Sequence, residues 1–141
     1  MDLAVDILNR LLIAEYGSLI HRLAEASPYV SWRSTEHHAA IQRMLADVKR
    51  HQHELAGMIV RLRGAPAPRT YPTSVGGVHY LKLSYLMPQV IAGARDLVQL
   101  YEQAGTTGDG DADALIARNL EDHRRHLREL EQIYAGLHQP A

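Results

Sequence analysis

The sequence predicts an all-α protein, a four-helix bundle, and three observations carry that prediction. Four long segments place apolar residues at alternating steps of three and four, the spacing of one helix face. The breaks between them are built of Pro, Gly, Ser and Asp. The connections run short, long, short, and a long crossover between the second and third helices makes those two parallel. The 141 residues suit one domain, 1–141, with a sizeable core.

The first helix is expected from Asp2, its N-cap, to Ala26, where Ser27-Pro28 ends it. Its stripe reads Leu8, Leu12, Glu15, Leu19, Leu23. The second is expected from Ser34 to Arg63, with Ile41, Met44, Val48, His51, Leu55, Met58 and Leu62 on one face. Gly64 reads as its C-terminal stop, followed by Pro66 and Pro68. The linker from Gly64 to Gly77 is the longest connection and would cross from one end of the molecule to the other. The third helix is expected from Val78 to Ala104, with Leu83, Met87, Val90, Ala94, Leu97 and Tyr101 inward. Pro88 inside it predicts a kink, or a short helix ahead of a longer one. After a polar loop, Gly105 to Asp111, the fourth runs from Ala112 to Leu137 with the stripe Ile116, Leu120, His123, Leu127, Leu130, Tyr134. Each helix would be about 38 Å long at about 1.5 Å per residue.

Composition then narrows the function. The net charge is −1, and no basic stripe with interleaved aromatics supports a nucleic-acid partner. Cysteine is absent, which removes disulfides, thiolate metal sites and Cys nucleophiles, and fits a cytoplasmic location. The first residues lack the pattern of a signal peptide, and no run of 18 apolar residues predicts a membrane span. No nucleophile–base pair or phosphate-cradling loop stands out. Asp109-Gly110-Asp111-Ala112-Asp113 opens like a calcium loop, but Leu120 holds the twelfth position, so the run reads as an N-cap with an acidic helix start.

Four polar residues interrupt or flank the stripes. Buried charges are costly unless paired or metal-bound, and several helices each placing one inward suggest a shared site. Glu15 is a candidate carboxylate ligand, or a stripe-edge Glu reaching water past Leu11. His51 continues its stripe without a miss, while Lys49, Arg50, Gln52 and His53 should face outward. It is a candidate ligand, or a core histidine hydrogen-bonded to Glu15 or a tyrosine. His123 and His126 share a helix face and can chelate one metal. His126 also fits a solvated face, with Asp122 as its i,i+4 partner. The candidate metal ligands are therefore Glu15, His51, His123 and His126.

On these residues the chain resembles the ferritin-like superfamily, which includes bacterioferritins and rubrerythrins. The local likeness is densest in His51-Gln52-His53-Glu54-Leu55-Ala56-Gly57-Met58-Ile59-Val60-Arg61-Leu62-Arg63-Gly64-Ala65-Pro66, a metal-binding His followed by an apolar helix and a Leu-x-Gly-x-Pro exit. Glu15 is placed like that family's first carboxylate ligand. The resemblance implies a di-iron site with one Glu from each of two helices and a Glu-x-x-His from each of the other two. This chain has Val48 ahead of His51, His123 ahead of His126, and no carboxylate near Val90, Ile91 or Ala94. Two to three carboxylates are thus missing, so the expectation is one ion, iron or zinc, rather than two.

Two other expectations compete. A metal-free ferritin-like bundle would pair Glu15 with His51 and serve as an interaction or assembly module, with a homodimer through helix faces and Tyr29 and Trp32 available to a partner. A bundle binding haem or an apolar ligand would use room at Ala92, Gly93 and Ala94, with Met87 or a histidine as an axial ligand; the lack of a haem attachment motif ranks this last.

Overall fold

The computed structural model describes residues 2–18, 20, 35–68 and 83–137. They form four helices: α1 Leu3–Tyr16, α2 Thr35–Arg61, α3 Leu83–Glu102 and α4 Gly110–Leu137. No strand occurs among the described residues. The helices pair as α1 with α2 and α3 with α4, and the pairs meet through α2 against α4 and α1 against α3. No helix among the described residues is long and apolar enough to cross a membrane.

Local chemistry sets the helix ends. Asp2 caps α1 by accepting from Ala4 N at 3.0 Å. The helix stops at Tyr16 rather than running on to Ala26. At the break Ser18 Oγ accepts from Ile20 N at 3.3 Å, a side-chain contact of the N-cap type. Ile20 is helical again and buried, and residues 21–34, with Tyr29 and Trp32, lie outside the described residues.

At the end of α2 the left-handed residue is Arg63, at φ 67°, and not the expected Gly64. Gly64 N bonds to Ile59 O at 2.8 Å, the six-to-one bond of a Schellman close. Gly64 is needed for another reason. A Cβ there would sit 2.6 Å from Val5 Cγ1, so glycine lets the exit of α2 press against α1. Asn9 then holds the following residues, donating to Ala65 O at 3.0 Å and accepting from Ala67 N at 2.7 Å.

Pro88 lies inside one continuous α3 and is exposed, so it does not divide the helix. Residues 78–82, the expected start of that helix, lie outside the described residues. The acidic N-cap reading holds for α4: Asp109 Oδ1 accepts from Ala112 N at 2.9 Å.

Two apolar clusters fill the interior. One joins Leu8, Leu11 and Leu12 of α1, Leu55 and Ile59 of α2, Leu97 and Tyr101 of α3, and Ala112, Leu115 and Ile116 of α4. The other joins Ile20, Ile41 and Met44, Met87, Val90 and Ile91, and Leu130 and Ile133. The starts of α1 and α4 therefore meet the ends of α2 and α3. Between the clusters lies a layer of buried polar groups.

Candidate metal centre

Each of the four helices sends a polar side chain into that layer. Glu15 and His51 are fully buried, Tyr101 and His123 are 2% exposed, and His126 is 3% exposed. A fully buried Leu contributes about 1.5–3 kcal/mol, so these positions forgo several kcal/mol of apolar burial. An unpaired buried ion would cost several kcal/mol more. Their geometry has to offset both.

Glu15 Oε2 is the hub. Tyr101 Oη donates to it at 2.5 Å, His123 Nε2 lies at 2.7 Å, and His51 Nδ1 lies at 3.2 Å. The last contact is out of line for a hydrogen bond. Asn119 Nδ2 donates to the Tyr101 oxygen at 3.3 Å, and Gln52 Nε2 donates to the Glu15 backbone carbonyl at 3.1 Å. Gln52 is thus buried rather than outward. Glu15 does not reach water past Leu11.

A second tier orients the histidines. His51 Nε2 lies 2.8 Å from Asp122 Oδ2, and His126 Nε2 lies 2.8 Å from Asp47 Oδ2. Arg50 reaches Asp122 at 2.6 Å and Asp47 at 3.1 Å. Arg125 reaches Asp47 at 3.0 Å and Asp122 at 3.2 Å. Asp122 therefore pairs across helices with His51, and the expected i,i+4 pairing with His126 is replaced by Asp47. A cleft of about 590 Å³, lined by Arg50, Glu54, Arg118, Asn119 and Asp122 among others, opens beside this tier.

The electrostatics follow these contacts. Burial pushes the Glu15 carboxyl up, but His123 and His51 outweigh it and hold it at about 2. Burial pushes His51 down, and Glu15 and Asp122 more than reverse this, leaving it raised. Burial also lowers His126; Asp47 opposes, the charges of His123 and His51 add to the lowering, and the net shift is downward. Burial lifts the carboxyls of Asp122 and Asp47, but the His51 and His126 bonds and the two arginines bring both below their ordinary value. Burial and then the Glu15 charge raise the Tyr101 phenol, which keeps its proton at neutral pH.

Ionised Asp122 fixes the tautomer of His51. The proton sits on Nε2, and Nδ1 turns a lone pair toward the Glu15 carboxylate unless the ring is charged. Among the described residues, Glu15 Oε1, His51 Nδ1 and His126 Nδ1 are buried without a hydrogen-bond partner. Glu15 Oε1 is an acceptor short of a donor, and so is each imidazole Nδ1 while its ring is neutral, an arrangement that a cation satisfies. The donor atoms of Glu15, His51 and His123 lie within 4.8 Å of one another, close enough to hold one ion. His126 stands outside this group; its ring lies 5.5 Å from that of His123 at 88°, and its Nε2 is committed to Asp47. The room expected on α3 is divided: Ala92 is exposed, Ala94 packs on the apolar cluster, and Gly93 lines a separate cleft with Ala14, Gly17 and Leu97.

Asp47, Asp122, Arg50, Arg125, Tyr101 and Asn119 were not legible as site residues from the apolar stripes. A repeat does signal four of them: Asp47-Val48-Lys49-Arg50-His51 on α2 matches Asp122-His123-Arg124-Arg125-His126 on α4 at Asp, Arg and His. Comparison of the chain with protein-family models, curated proteins and solved structures finds no match.

Proposed function

We propose that this chain is a ferritin-like bundle that binds a single metal ion, iron or zinc, through Glu15, His51 and His123. The observation that carries the reading is the buried group of Glu15, His51 and His123, whose donor atoms lie within 4.8 Å of one another, with Glu15 Oε1 and His51 Nδ1 lacking a hydrogen-bond partner. His51 adds a second mark of a ligand, since metal-binding imidazoles commonly donate their other N–H to a carboxylate, here Asp122. Carboxylate and imidazole donors suit iron and zinc. With three protein ligands, a further position is open to substrate or oxygen, where a bound metal would supply Lewis-acid or redox chemistry.

The ferritin-like topology is supported by the path of the chain after α2. Gly64 touches Val5, Ala65 and Ala67 bond to Asn9, and Ala67 O accepts from Tyr16 at 3.4 Å. The chain is thus heading back along α1 toward the opposite end, where α3 begins. That heading supports the crossover reading, whose connecting residues 69–82 lie outside the described residues.

One observation favours the metal-free alternative, an assembly module. Glu15 Oε2 already meets Tyr101 and His123, so the layer is partly self-satisfied. Metal content of tag-free protein, measured by mass spectrometry beside Glu15→Ala and His51→Ala, separates the two. About one equivalent, lost in both variants, is expected. No metal after anaerobic loading with ferrous iron or zinc would leave the assembly module as the better account.

A further inference from the structure

We propose that Tyr101 is a fourth protein ligand of this centre, bound through its phenolate oxygen. The inference rests on the metal reading above and extends it to α3, the helix that brings no carboxylate. Tyr101 is 2% exposed, and its hydroxyl points at the same Glu15 oxygen that His123 and His51 face. One donor atom then comes from each helix: Glu15, His51, Tyr101 and His123.

The distances suit such a set. Corners of a tetrahedron around a metal about 2.0–2.1 Å from each donor are about 3.3–3.4 Å apart. Glu15 Oε2 stands 2.5, 2.7 and 3.2 Å from the other three donors. These three separations are slightly shorter than tetrahedral edges, so modest shifts of the side chains away from Glu15 would open them. Asn119 donates to the phenol oxygen and holds it beside Glu15.

Binding exchanges a proton for a metal. The Tyr101 O–H bond breaks and an oxygen–metal bond forms, the proton leaving to solvent; the His123 Nε2–H that faces Glu15 moves to Nδ1 of the same ring through solvent as a nitrogen–metal bond forms. No electron moves if the ion arrives in the state in which it stays. His51 keeps its Nε2 proton on Asp122 throughout.

Ferric iron is the probe, because a phenolate bound to it absorbs visible light through charge transfer. The full chain is loaded with ferric citrate and desalted, and iron content, visible absorption and resonance Raman spectra are recorded. The expected result is about one bound iron, lost in His51→Ala, with a visible band that enhances phenolate ring modes. In Tyr101→Phe the band should vanish while residual iron binds about tenfold or more weakly. Asn119→Ala keeps the phenol but removes a hydrogen bond from its oxygen, so the band should shift; this variant decides the matter if Tyr101→Phe does not fold. Iron bound without a band, a band surviving in Tyr101→Phe, or one unmoved in Asn119→Ala would overturn the role of Tyr101 and leave the three-ligand site standing. Failure of iron and zinc alike to bind would overturn both.

Discussion

The first hairpin, α1 with α2, and the second, α3 with α4, carry one polar plan with opposite omissions. The same 36-residue interval separates Glu15 from His51 and Val90 from His126. Asp47 and Arg50 precede His51 as Asp122 and Arg125 precede His126, and each aspartate holds the other hairpin's histidine. The inward positions differ. The first hairpin has Glu15 but Val48; the second has Val90 but His123. Glu15, His51 and His123 therefore gather around one point. His126 is left with Asp47 on one side and a bare Nδ1 on the other. A symmetric support can thus hold an asymmetric centre, because two buried valines close one half of it.

The largest test of this comparison is to restore the missing half. Val48→Glu combined with Val90→Glu should raise metal content from about one equivalent to about two. Without metal the double variant should lose on the order of 3–5 kcal/mol or more, since both carboxylates are buried. Stoichiometry by mass spectrometry and chemical denaturation check the two halves of the claim. A count that stays at one would show that something besides the valines closes the second half.

A smaller effect separates the two aspartates. Asp122→Asn replaces the charged acceptor behind a candidate ligand with a neutral amide and should weaken metal binding about 10–100-fold. Asp47→Asn makes the same neutral replacement behind His126 and should change binding little. Competition titration against a chelator measures both, and equal losses would place His126 in the centre.

The smallest test reads the histidines of the metal-free protein by NMR. His51 is raised, so its contribution to stability is complete below its unfolded value and fades as pH rises through the folded one. His126 is lowered, so its contribution is present above the unfolded value and fades as pH falls through the folded one. His51 should thus protonate at higher pH than His126. The reverse order would contradict the asymmetry.

Much of the frame was legible in advance. The periodic stripes located all four helices, and Glu15, His51 and His123 stood out as polar residues on apolar faces. The break after Tyr16 was hidden because the apolar stripe in the sequence continues through Leu19 and Leu23, while Ser18 Oγ takes up the N–H of Ile20. Tyr101 passed as an ordinary core aromatic, since spacing does not show where a hydroxyl points. Gln52, Asp47 and Asp122 lie off the stripes; their roles arise only where α2 meets α4 and Gln52 reaches the carbonyl of Glu15. The position of Gly64 was read correctly as the edge of a helix, but the cause is the Val5 side chain, distant in sequence.

The early end of α1 has a consequence for what else the centre admits. Glu15 sits one residue before the last residue of that helix. Aligned peptide dipoles leave about half a negative charge at a helix C-terminus, an effect confined to the final turn and worth about 0.3–1 kcal/mol. The backbone of α1 thus adds its own field to that of the carboxylate. It would favour a bound cation, and beside the carboxylate a ligand added beyond the protein side chains would be better suited as neutral water or dioxygen than as a halide.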